Sequence, residues 1–224
     1  MTIAATTLPS PALPRPRGIG LLAIATGVAS FALLAIHPGG DATDFAGVLK
    51  DEAANRVMDA VVHGGFVVVL ALQMVCYATL SMRLGVARGA VLAALVFFAF
   101  GTVFLSGSML VDGLLTPAVA ARYVARPEKI EQARALFVLM GSAIGIAMPL
   151  GLAFQAAAVA AWGWALAATG SRATGAFAMV LGGAMLAGAA AGLATLNPLG
   201  LMGAIMAAAV WAFVAGATLL RAER

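Results

Sequence analysis

Long apolar runs alternate with short polar stretches along this chain, and each run reads as helix. Crossing a hydrocarbon core of about 30 Å takes about 20 helical residues. Six segments reach that length: residues 18–36, 60–82, 89–111, 142–166, 174–196 and 198–220. A Pro-rich leader, residues 1–17, precedes the first and carries Arg15 and Arg17. Basic-then-apolar is also how a secretory signal begins, but this run is longer than a usual signal core, and Ile36-His37-Pro38-Gly39-Gly40 makes a poor cleavage site. An uncleaved first span is expected.

The apolar stretch 135–169 is too long for a single straight crossing, since at 1.5 Å per residue it reaches about 50 Å. Pro149 lies in its middle, where it removes a helix hydrogen bond. No charged or turn-rich loop accompanies it, so the expectation is one kinked helix standing above the membrane, with Trp162 and Trp164 at the opposite interface. Only Asn197-Pro198 separates the last two spans. The fold class is therefore all-α: a polytopic membrane bundle of six transmembrane helices in a single domain, residues 18–224, with outer segments at 37–59 and 112–141.

Composition strengthens this picture. Of 224 residues, 63% are hydrophobic and 10% charged, against roughly 45–50% and about 25% in soluble proteins. The one cysteine, Cys76, rules out a disulfide framework. A net charge of +4 brings nucleic acid to mind, but the basic residues sit singly or in pairs beside apolar runs, as topology signals do. No nucleic-acid partner is expected.

Those basic residues set the orientation. With the N-terminus inside, cytoplasmic segments hold Arg15, Arg17, Arg83, Arg88, Arg172, Arg221 and Arg224, and the longer outer ones hold Lys50, Arg56, Arg122, Arg126, Lys129 and Arg134. The inner loops have the higher density, and the two outer segments hold every acidic residue but Glu223. Both termini are expected in the cytoplasm.

Helices in lipid associate through close backbone approach. Gly141-x-x-x-Gly145 and Gly188-x-x-x-Gly192 have the spacing for it, read first as packing within the bundle and otherwise as a homodimer seam. The spans hold no Asp, Glu, Lys or Arg at their middle, which disfavours ion-coupled transport. Gln73 and Gln155 are the chief interior polar groups and would line a path in a permease.

Polar chemistry collects at the outer face. Thr43 or Asp44 is a plausible cap of a helix running into span two, and Glu52 and Arg56 form a favourable i,i+4 pair. Asp51, Asn55, Asp59 and His63 recur every four residues and share a stripe. Asp112 lies at a similar depth, at the outer end of span three. His37, Asp59 and His63 are the candidates for a divalent metal, and a bis-His haem between His37 and His63 is the rarer alternative. The more economical reading is a structural polar cluster in which His63 bonds across helices, and no cofactor is expected. Tyr123, Arg122 and Arg126 read as anchors near headgroups.

The His-Pro turn after span one, Val62-His63-Gly64, Leu115-Thr116-Pro117-Ala118 and Ala121-Arg122-Tyr123 together resemble small bacterial six-span inner-membrane proteins of unknown function. The resemblance implies a bacterial cytoplasmic membrane and gives His63 added weight, but it brings no activity with it. The functions in order of expectation are a non-enzymatic accessory, sensor or scaffold protein, then a small-solute permease. A metal-binding or lipid-active enzyme working through His37, Asp59 and His63 comes third. Partners would be the lipid bilayer and a second copy or a membrane subunit.

Overall fold

The computed structural model describes residues 16–40, 42–192 and 198–221. Among them every regular element is helical: α1 (Pro16–Ala35), α2 (Phe45–Leu84), α3 (Gly89–Leu110), α4 (Thr116–Tyr123), α5 (Ile130–Ala168), α6 (Arg172–Ala190) and α7 (Pro198–Arg221). Six of the helical stretches are long and apolar enough to cross a membrane. Residues 1–15 of the expected leader, Asp41, the turn at Asn197 and Arg224 lie outside the described residues, whereas Pro16 and Arg17 open α1.

Two helices run far beyond the bilayer requirement. α2, with 40 residues, and α5, with 39, would each measure about 60 Å at 1.5 Å per residue. Asp44 caps α2 by accepting a hydrogen bond from the Gly47 amide at 2.6 Å. α5 passes through Pro149 without a break. The first turns of both helices pack with α4 into a small core of Leu49, Ala120 and Ala133. Phe45 meets Phe137 edge-on at 5.3 Å, and the Arg134 guanidinium stacks over Phe45. Tyr123, half-buried, packs against this core.

The third span was expected to end near Val111, with Asp112 opening a polar outer segment. Instead the helix continues through one widened turn, Val111–Leu115, into α4. The Thr116 amide donates to the Val111 carbonyl five residues back, and its hydroxyl reaches the same oxygen at 3.0 Å. Such a turn absorbs one extra residue, and Pro117, which has no N–H to offer, is tolerated at the start of the following helix.

By packing order the helices follow as α7, α1, α2, α3, α5 and α6, with α6 and α7 meeting only thinly. Three seams rest on facing glycines. A Cβ on Gly20 would stand 2.9 Å from the Gly216 carbonyl, one on Gly101 2.9 Å from that of Gly151, and one on Gly163 2.8 Å from that of Gly175. The reverse substitutions are as tight, with 2.6 Å from Gly216 to the Gly20 carbonyl and 2.5 Å from Gly175 to that of Gly163. Gly141 and Gly145, expected in a packing seam, are exposed and have nothing within 4 Å of an added Cβ. Gly188 lines a crevice between α6 and α7, and Gly192 has positive φ after the end of α6. A spacing of four places small residues on one face; a partner glycine across the crossing is what makes a seam.

The largest core lies away from the polar cluster, around Tyr77, Phe98, Trp162 and Trp211. Trp162 is fully buried, stacks on Trp211 at 6.0 Å and donates its indole N–H to Ser81 Oγ at 2.9 Å. That overturns its expected place at the interface, since an indole with a bonding partner and three aromatic neighbours gains more from packing than from headgroups. Trp164, two residues on and so on another side of α5, is exposed.

Candidate functional site

Four side chains singled out in the sequence, His37, Asp59, His63 and Asp112, surround one polar pocket of about 80 Å³. α1 delivers His37 just past its end, α2 delivers Asp59 and His63 one turn apart, and the widened turn delivers Asp112. The α2 stripe adds Asp51 and Asn55 to the lining.

His63 is the hub. Its Nδ1 lies 3.0 Å from the Asp59 carbonyl oxygen, and its Nε2 lies 3.2 Å from Asp112 Oδ2. A carbonyl can only accept, so Nδ1 carries the hydrogen and donates it. The Nε2 contact is then a hydrogen bond only while one proton sits on either Nε2 or the Asp112 carboxyl. Without it, a nitrogen lone pair faces a carboxylate. The His63 side chain is 6% exposed and that of Asp112 is 40% exposed, so water reaches the acid while the ring stays enclosed. The His37 ring meets the His63 ring edge-on at 5.1 Å, and its own Nδ1 donates to the Pro38 carbonyl at 2.9 Å.

Gly113 makes this arrangement sterically available. A Cβ there would overlap His63 Cβ and Cγ, so only glycine lets the widened turn lie against the ring. Nothing in the sequence marks Gly113, because its requirement arises from a residue fifty positions away. Glu52 is the second residue missed. Expected to pair with Arg56, it lines the pocket instead, and no ion pair joins the two. It sits seven residues before Asp59, two helical turns on the same face, which is the signal that was there to read.

Glu52 lies about two turns outside the apolar stretch 60–82. Burial pushes its carboxyl up to about 7, helped by the negative charges of Asp59 and Asp112 and opposed by His63. Four carboxyl groups and two imidazoles share this small space. As metal ligands they are less well disposed. Among the described residues no three His, Cys, Asp or Glu side chains are grouped to hold an ion, and both nitrogens of His63 are already engaged. The two histidine rings meet edge-on at 5.1 Å beside a pocket of about 80 Å³.

Gln73 and Gln155 come together elsewhere, at a partly open cavity of about 50 Å³ that Ser30 also lines. Gln155 Nε2 is buried with no hydrogen-bond partner. The space is of the size that suits one or two water molecules. In comparisons with known proteins, no family model, no curated sequence and no solved structure matches this chain.

Proposed function

We propose that this is a non-enzymatic multi-pass protein of a bacterial cytoplasmic membrane, with both termini inside, acting as an accessory or sensor subunit whose outer-face cluster responds to protons. The observation that carries the reading is the engagement of both His63 nitrogens. The contact joining α2 to the turn after α3 is bonding with one proton on the His63–Asp112 pair and repulsive with none. Protonation therefore latches the widened turn onto α2, and rising pH releases it. The neighbouring Glu52, which keeps its proton to about pH 7, places a second titration beside the first. The basic residues of the short loops support the orientation, and the missing charges at the middle of the spans support a role other than ion transport. A permease gains little support from a cavity of only about 50 Å³.

Hydrogen exchange on the protein in liposomes, from about pH 5 to about pH 9, tests the latch. Corrected for the intrinsic pH dependence of amide exchange, protection across residues 108–123 is expected to fall with rising pH in the wild type and to lose that dependence in His63→Gln. A flat wild-type profile overturns the reading.

A further inference from the structure

At the end of the bundle away from His63, the last turns of α2, α5 and α7 and the first turn of α6 enclose a pocket of about 310 Å³. Arg83 and Arg221 line it, together with Thr169, Ser171, Thr174 and Thr218, and among the described residues no carboxylate does. Arg83 Nε is buried without a hydrogen-bond partner, and among the described residues neither arginine enters an ion pair. Thr169 and Thr218 donate their hydroxyl protons to carbonyls of their own helices, which leaves Ser171 and Thr174 as donors. Last-turn arginines often only offset the carbonyl ends of their helices. That role needs neither a shared pocket nor a buried, unanswered Nε. The free amides opening α6 add partial positive charge to the same place.

A second feature leads away from this pocket. A groove of about 360 Å³ shares Thr174, Thr218 and Arg221 with it and continues between α6 and α7 past Phe177, Val214 and Ala217. Further along the same two helices lies an apolar crevice of about 280 Å³, bordered by Leu181, Met185 and Ala204. The gap exists because α6 packs chiefly on α5 and α7 chiefly on α1. A polar anion pocket that opens into a long apolar groove has the shape of one amphipathic molecule. Guanidinium groups and hydroxyl donors match phosphate oxygens, and basic pockets between membrane helices are suited to anionic headgroups.

We propose that this pocket and groove bind one anionic phospholipid, its phosphate between Arg83 and Arg221 and an acyl chain along α6 and α7. The test is native mass spectrometry of the detergent-purified chain titrated with phosphatidylglycerol, with phosphatidylcholine and with inorganic phosphate. Phosphatidylglycerol is expected to bind at one per chain and more tightly than phosphatidylcholine. Arg83→Gln/Arg221→Gln should weaken it at least about tenfold, as expected for losing charge-assisted hydrogen bonds. Ala217→Phe, which fills the groove without changing charge, should weaken it too, whereas Arg88→Gln, at the same end but outside the pocket, should not. If the double variant does not fold, Arg221→Gln alone should still show part of the loss. Equal binding of the two lipids, or indifference to the arginine changes, overturns the proposal. Inorganic phosphate binding as well as phosphatidylglycerol, with Ala217→Phe silent, also overturns it and leaves a simple anion site.

Discussion

α2 passes through two environments that hold it by different means. Near its C-terminal end Tyr77 packs against Phe98 edge-on at 4.7 Å and against Trp162 at 5.1 Å. The contacts there are mainly dispersion and area, with one indole–hydroxyl hydrogen bond to Ser81, and none depends on a proton exchanged near neutral pH. Midway along the helix, near the apolar boundary, His63 joins the neighbouring turn through a bond that depends on a proton. Buried aromatic cores lose several kcal/mol when a ring is removed, whereas one hydrogen bond contributes about 1 kcal/mol net. The aromatic region therefore sets the stability of the bundle and the His63 region sets its response to conditions.

The strongest test of that division is Trp162→Ala. It should cost about 3–5 kcal/mol, seen as a large fall in thermal midpoint in detergent, by the same amount at acid and alkaline pH. A loss that varies with pH would break the comparison. Gly113→Ala comes next, at about 1–3 kcal/mol, because the new methyl must push the widened turn off His63. Unlike Trp162→Ala it should also flatten the pH profile of exchange in residues 108–123. Gly107→Ala, in open space, is the control and should change neither.

Asp112→Asn should cost about 1–2 kcal/mol below neutral pH and little above it, since the charged partner is removed; melting curves at both pH values separate the cases. Ser81→Ala sharpens the other side. It orphans the Trp162 indole N–H at about 1 kcal/mol, with no pH dependence in the same melts. The smallest effect belongs to Glu52→Gln. A carboxyl raised from 4.5 to about 7 in the folded chain holds its proton more tightly there. Its stabilising contribution is complete below pH 4.5 and is lost as pH climbs through 7. Glutamine should thus stabilise the protein at pH 8 by less than about 1 kcal/mol, given the water around this half-buried group, and leave stability near pH 4 unchanged. A stability rise that is the same at both pH values would remove Glu52 from the proton cluster.

The division also explains what could be read from the sequence. Six apolar runs of bilayer length are properties of single segments, and the helices formed where the runs lay. The four-residue stripe from Asp51 to His63 is equally local, and it reached the pocket intact. Features that depend on two distant segments were misplaced or missed. Trp162 left the interface because Ser81 and Trp211 wait for it in the core, and the glycine seams follow crossings such as Gly101 with Gly151, which no spacing along one helix reveals. Glu52 was assigned to Arg56 because the i,i+4 rule sees one helix, whereas the pocket is made by three.

The length of α2 and α5 has a mechanical consequence. Each is an unbroken rod about twice as long as a bilayer core is thick, so each carries its outer turns well clear of the lipid. Those turns close on α4 through Leu49, Ala120 and Ala133, and α4 continues directly from the widened turn that holds Asp112. Asp51, Glu52 and Asn55 on α2 and Asp112 on that turn are thereby braced against one another outside the membrane span.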